Sequence, residues 1–378
     1  MKPVEDLVKE SMKNLKPCVH GGEVLDAAER SGLRREEILD FSSSVNPLGP
    51  SRKALEAAKN SFDQVSAYPD SNSNKLRQAI ADHFTGLAKD NVIVGNGSTE
   101  LMYLFAETFL NKGDMAIIPA PTFGEYESAV RKTGEVPKFV KLDSNFTINA
   151  NAFEGQMTNA KMVFLCNPNN PTSLLIPAEI LVEIFEKAAK QNSLVFLDED
   201  FLEFVENEKT LSMINQIKRY PNLFILRSFT KIFGLTGLRI GYGIASEEII
   251  NPLLCSKIPW NVNCLAQAAA IAALQDEEHL RVTRELIRKE KAYLLSEFGK
   301  IKSFKVYQPD ANFFFIDIRK SGLTAPELKD KLLRKRILIR DCSSFTGLDQ
   351  YYIRIAVKTP EEDKQLIEAL KWALESQQ

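Results

Sequence analysis

Lys161–Phe201 reads KMVFLCNPNNPTSLLIPAEILVEIFEKAAKQNSLVFLDEDF. Lys161–Leu165 and Leu194–Leu197 are short, nearly continuous apolar runs, the pattern of strands covered on both faces. Between them Ile180, Leu181, Ile184, Phe185 and Ala188 fall on one face of a helix. Strand, helix and strand in succession imply a parallel pair joined by a helical crossover. The pattern extends in both directions. Asn91–Val94, Met115–Ile118, Phe224–Leu226 and Arg239–Tyr242 read as further strands, and Leu101, Leu104, Phe105 and Phe109 mark another helical face. An α/β domain with a mostly parallel sheet is expected over residues 61–269.

The last third changes character. A helix over Glu277–Phe298 leads to strands at Phe313–Ile318, Ile337–Arg340 and Tyr352–Val357, with a helix at Ala325–Leu333 after the first. Thr359-Pro360-Glu361-Glu362 carries a cap, a first-turn proline and the second half of a capping box. Residues 270–378 together with 1–60 are expected to form a smaller α+β domain packed closely on the first.

The composition of the 378 residues sets limits on function. Forty-eight basic against 50 acidic side chains leave a formal charge of −2, so no general attraction to nucleic acid or acidic membranes is expected. No apolar run approaches the ~20 residues of a bilayer span. Five scattered cysteines without a CxxC pair, and three histidines, argue against a disulfide framework or a zinc site, and for a reducing cytoplasm.

In open α/β sheets ligands bind beyond the carboxyl ends of the strands, and four such ends are polar or glycine-rich. Gly95-Asn96-Gly97-Ser98-Thr99-Glu100 offers helix N-terminal N–H groups and two hydroxyls to an anion; a tight turn with an N-cap explains it as well. Cys166-Asn167-Pro168-Asn169-Asn170-Pro171-Thr172 presents Asn170 from two Asn-Pro steps, or is an ordinary turn. In Asp198-Glu199-Asp200, Asp198 follows a buried strand and requires a positive partner, whereas Glu199 and Asp200 are expected at the solvated surface. Leu226–Arg239 (LRSFTKIFGLTGLR) places Ser228, Lys231 and Arg239 in apolar surroundings, the residue types that hold a phosphate and offer an amine nucleophile. A lysine partly removed from water, near other cations, loses pKa and becomes able to form an imine.

In this order and spacing the four motifs resemble the fold-type I pyridoxal 5'-phosphate (PLP) enzymes, the aspartate aminotransferase superfamily. The resemblance covers nearly the whole chain. It implies a large domain with a seven-stranded, mostly parallel sheet flanked by helices, and PLP as cofactor. It makes Lys231 the Schiff-base lysine, with Ser98, Thr99, Ser228, Thr230 and Arg239 around the cofactor phosphate. It gives Asp198 to the pyridinium nitrogen, Asn170 to the ring 3′-oxygen and Phe123 to the ring face. Tyr68 corresponds to the tyrosine that reaches the neighbouring subunit's cofactor phosphate, implying a homodimer. Arg354 corresponds to the arginine that grips the substrate carboxylate.

Two branches fit, histidinol-phosphate aminotransferases and threonine-phosphate decarboxylases of cobalamin biosynthesis, both acting on small phosphorylated amino compounds. His20-Gly21-Gly22, Asp40–Gly49, Pro259–Asn263 and Arg336–Cys342 lean toward the decarboxylase. So does Phe201, standing where aminotransferases usually carry a tyrosine that bonds the ring oxygen. The expected reaction is decarboxylation of L-threonine O-3-phosphate to (R)-1-aminopropan-2-yl phosphate, with L-serine O-phosphate as a variant. The alternative is histidinol-phosphate transamination with 2-oxoglutarate. His20, Ser44, Asn46 and Arg340 are candidates for the substrate phosphate; for His20 an ordinary surface role weighs equally, and Arg340 also suits a surface ion pair. Ser173 stands where the family has glycine, implying a changed backbone beside Asn170.

Overall fold

The computed structural model describes residues 3–13 and 15–375. The strands, in chain order, are β1 (Leu39–Asp40), β2 (Val92–Gly95), β3 (Met115–Ala120), β4 (Lys138–Lys141), β5 (Ala160–Cys166), β6 (Leu194–Asp198), β7 (Leu223–Ser228), β8 (Gly241–Ala245), β9 (Lys305–Tyr307), β10 (Phe313–Asp317), β11 (Ile337–Leu338), β12 (Arg340–Asp341) and β13 (Tyr352–Ala356). Seven of them form one sheet in the order β2-β8-β7-β6-β5-β3-β4. Only β8 runs against the rest, paired antiparallel with both β2 and β7.

Alternate residues of the central strands feed two cores. Met162 and Phe164 join Phe105, Tyr126 and Ile249 on one side. Val163 and Leu165 join Leu181, Ile184 and Phe185 on the other. Burial on both faces is why β5 and β6 read as near-continuous apolar runs. β4 escapes that pattern because it is an edge strand left uncovered, unlike the buried edge strand β2: Lys138 and Lys141 face solvent and only Val140 is buried. The strand expected at Arg239–Tyr242 starts two residues later, since Arg239 takes a left-handed backbone (φ 54°).

The antiparallel sheet β12-β13-β10-β9 lies in the last third. β1 pairs in parallel with β11, Leu39 opposite Ile337, which ties the early segment to this region. The helices Glu277–Gly299, Ala325–Leu333 and Pro360–Glu375 occupy the expected places. At the last of them the Glu362 N–H donates to Thr359 Oγ1 (3.4 Å) and the Thr359 N–H to Glu362 Oε2 (3.1 Å), closing the capping box. No helix among the described residues is long and apolar enough to cross a membrane.

Candidate active site

The carboxyl ends of β2, β5, β6 and β7 lie along one edge of the sheet, and a cavity of about 670 Å³ opens beyond them. Lys231, Ser98, Thr99, Phe123, Asn170, Thr230 and Arg239 line it, as do His20, Ser44, Arg340 and Arg354. Eleven residues spread over more than 330 positions thus meet in one place. Their convergence is a consequence of the topology, since each follows a strand or belongs to a segment folded back over the strand ends.

Two glycines allow the anion cradle to close. Gly97 (φ +87°) is packed so tightly under the Arg239 guanidinium that a Cβ would collide with Nη2. A Cβ on Gly241 would strike the backbone nitrogen of Ser98, the first residue of the helix Ser98–Phe109. The helix N-terminus, the Ser98 and Thr99 hydroxyls and Arg239 are thereby brought together. Ser228 is wholly buried and its Oγ accepts from the Thr230 N–H at 3.1 Å.

Asp198 sits just behind the cavity wall, buried at the end of β6. Tyr126 Oη donates to its Oδ2 at 2.6 Å and the Asp200 N–H to its Oδ1 at 2.9 Å. Burial, and then the neighbouring Asp200 charge, raise its pKa, against the pull of the Tyr126 hydrogen bond. It is a carboxylate that a positive partner would stabilise. Lys231 shifts the other way. Removal from water lowers its pKa; Asp200 and Asp198 oppose that, while Arg354 and Arg239 add to it. Its Nζ lies 5.2 Å from the centre of the Phe201 ring.

Arg354 is buried on β13. One Nη donates to Asn170 Oδ1 and the other to the Ser42 carbonyl at 2.7 Å, while Nε has no partner among the described residues. Burial pulls its pKa down to about 10. Ser44 Oγ is likewise buried and unpartnered. Arg340 is no surface ion-pair partner. It is buried, and it donates to the carbonyls of His20 (2.8 Å) and Val19 (2.7 Å) and to Ser344 Oγ (3.0 Å), holding the segment Cys18–Gly22 against the cavity. His20 Nε2 pairs with Glu125 Oε1 at 2.7 Å, and Tyr103 donates to the other Glu125 oxygen. Burial resists ionisation of Glu125, but these hydrogen bonds hold its pKa below the usual value.

Four of the expected residues do not line the cavity: Asp198 and Ser228, buried at the strand ends, and Asn46 and Tyr68. Asn46 has its side chain consumed by protein: Nδ2 reaches the Ile232 carbonyl (2.7 Å) and Thr283 Oγ1 (2.9 Å), and Oδ1 accepts from the Leu48 N–H (2.9 Å). Its backbone N–H also donates to the Lys231 carbonyl, so it braces the turn that carries the lysine. Tyr68 is 80 % exposed and stacks on Trp260 at 4.7 Å. Ser173 adopts φ +65°, the left-handed backbone a glycine takes freely, and its Oγ accepts from the Ala311 N–H at 3.1 Å.

The expectation of solvated carboxylates after Asp198 is overturned. Glu199 is fully buried and held by Arg227 (2.8 and 3.1 Å), Ser212 Oγ and the Met213 N–H. Asp200 is only 8 % exposed and lines the cavity. Sequence reasoning also missed Glu125 and Tyr103, whose partners are distant along the chain. The donor set fits PLP: an amine open to the cavity, a buried carboxylate with raised pKa, and an anion cradle closed around two glycines.

Fold and site define a PLP-dependent enzyme, and the chain belongs to the aminotransferase class I and II family, whose model matches residues 36–370. A histidinol-phosphate aminotransferase of Methanosphaera stadtmanae is 37 % identical over 370 residues, covering 97 % of this chain and 98 % of that one. A protein of Caldanaerobacter subterraneus subsp. tengcongensis, provisionally named threonine-phosphate decarboxylase, is 38 % identical over 366 residues, 96 % of each chain. Among solved structures, the L-threonine-O-3-phosphate decarboxylase of Porphyromonas gingivalis is similar with a TM-score of 0.78 at 28 % identity, covering 89 % of this chain and 99 % of that one.

Proposed function

We propose that the chain is a PLP-dependent decarboxylase of L-threonine O-3-phosphate, yielding (R)-1-aminopropan-2-yl phosphate. Phe201 carries this reading. It presents a bare ring to Lys231 and offers no hydroxyl, which leaves the cofactor's ring oxygen to Asn170, whose Nδ2 is not spent on Arg354. When bound, PLP would supply an aldehyde, which Lys231 would hold, and an electron sink for the bond broken at Cα.

The chain's own residues then divide the work. Asp198 would keep the ring nitrogen of bound PLP protonated, and Ser98, Thr99, Ser228, Thr230 and Arg239 would hold its phosphate. Phe123 covers the ring. Arg354 binds the substrate carboxylate, with Nε still free to donate. His20, Ser44 and Arg340 are the groups for the substrate phosphate, His20 being oriented by Glu125. Lys231 returns a proton to Cα. L-serine O-phosphate is one methyl smaller, a difference of about 1–3 kcal/mol in a fitted pocket. A homodimer in which Tyr68 serves the neighbouring site is supported by the exposed Phe62, Val65, Tyr68, Ile258 and Trp260.

The second reading, histidinol-phosphate aminotransferase, is favoured by the Methanosphaera relative. The PLP-loaded protein offered L-threonine O-3-phosphate, L-serine O-phosphate, or histidinol phosphate with 2-oxoglutarate separates them. Release of CO₂ without glutamate is expected; glutamate without CO₂ makes the chain an aminotransferase.

A further inference from the structure

We propose that Asp200 is a positioning residue that keeps a proton on Lys231, setting that lysine to act on Cα as an acid rather than as a base. The second half of this statement rests on the decarboxylase reading; the first does not. Asp198 and Asp200 are two residues apart and differently employed. Both oxygens of Asp198 accept protein donors, Tyr126 Oη and the Asp200 N–H. Asp200 Oδ1 is buried with no hydrogen-bond partner among the described residues, and its side chain forms part of the cavity wall with Lys231. A carboxylate kept nine-tenths out of water without a donor is costly unless a cation answers it.

Lys231 is a cation on the same cavity wall, with no ion pair within 4.0 Å joining the two side chains. Of the charges around it, Asp200 attracts it most, ahead of Asp198, while Arg354 from β13 and Arg239 before β8 repel it. The remaining titratable neighbours of Asp200 are Cys166 at the end of β5 and Glu203, the latter turned toward Arg227. Phe201 contributes only a ring face. Asp198 is committed to Tyr126 and, were PLP bound, to the ring nitrogen, which leaves Asp200 to favour the proton on Lys231 Nζ, whether that nitrogen is held by PLP or free.

A neutral lysine removes a proton from Cα, the step that starts amino transfer; an ammonium supplies one, the step that ends decarboxylation. The electron pair left when CO₂ departs ends in the new Cα–H bond. Lys231 gives that carbon one proton, becomes a neutral amine and is reprotonated from solvent, so each turnover consumes one proton.

The test is an absorbance titration of PLP-loaded protein, following the pH midpoint of the visible band, for the wild type, Asp200→Asn and Asp200→Glu. Cofactor stoichiometry and melting temperature verify folded, loaded protein, and Asp200→Ala replaces Asp200→Asn should the latter fail to load. Removing the charge is expected to lower the midpoint by roughly one to two pH units, and Asp200→Glu to restore it to within about half a unit. A midpoint that does not move in the neutral variant overturns the proposal, whatever the products. A wild type that makes glutamate and no CO₂ overturns the decarboxylase reading and leaves the titration result standing.

Discussion

Replacing Arg227 with methionine should destabilise the protein severely, chiefly by stranding the Glu199 carboxylate, while Glu203 (3.4 Å) and Glu208 (3.6 Å) lose a more distant partner. Arg227 and Glu199 are 1 % and 0 % exposed at their side chains, and the guanidinium meets Glu199 Oε2 through Nη2 (2.8 Å) and Nε (3.1 Å). Each charge-assisted bond of this kind is worth about 1.5–3 kcal/mol. Methionine fills similar volume but leaves Glu199 ionised and buried with only Ser212 Oγ and the Met213 N–H as donors. Breaking a buried pair from one side costs about 3–5 kcal/mol. With an unfolding entropy near 2.1 cal/mol/K per residue over 378 residues, this is a fall in melting temperature of about 4–6 °C. Calorimetry at neutral pH reads it directly. Adding Glu199→Gln to the variant should recover a large part of the loss, because the stranded charge is gone. A single variant that melts within about 1 °C of the wild type would refute the reasoning, and so would a double variant no better than the single.

Two further outcomes follow from the same chemistry. Burial, with the neighbouring Glu290 and Glu362 charges, raises the Asp363 pKa to about 8, although both oxygens accept from the Lys358 N–H. A folded-state pKa above the unfolded one means that the folded protein binds the extra proton, so this stability is present at low pH and is lost as pH rises through about 8. Asp363→Asn should therefore melt less differently between pH 6 and pH 9 than the wild type does, and identical pH slopes would count against it. For Arg354→Lys the charge stays and the fork is lost. One charge-assisted bond to the substrate carboxylate disappears, and KM should rise by roughly 10- to 150-fold; an unchanged KM in steady-state assay would remove Arg354 from the carboxylate site.

The sheet was legible where physics acts locally. β5, β6 and β7 are buried on both faces, so their apolar runs are visible without tertiary knowledge, and the capping box at Thr359 is complete within four residues. β4 and β9 were missed because both are edge strands whose exposed lysines break the apolar pattern. In the site, Ser98, Thr99, Asn170, Lys231 and Arg239 were legible from the motifs at the strand ends, and Phe123, His20, Ser44, Arg340 and Arg354 through the family resemblance. What those motifs do to one another was not. The pairing of His20 with Glu125 spans 105 positions, and the Arg340 tether of Val19 spans 321. Glu199 and Asp200 looked like surface acids because burial of a carboxylate depends on residues elsewhere in the chain: Arg227 holds Glu199, and Asp200 lies on the cavity wall that Lys231 shares.

The claim on which the rest depends is that Lys231 is the amine that holds PLP. Borohydride reduction of the PLP-loaded protein, followed by digestion and mass spectrometry, fixes the label to a residue. The account predicts one label per chain, on the peptide containing Lys231, and none in Lys231→Ala. A label on another lysine, or an undiminished label in Lys231→Ala, would contradict it.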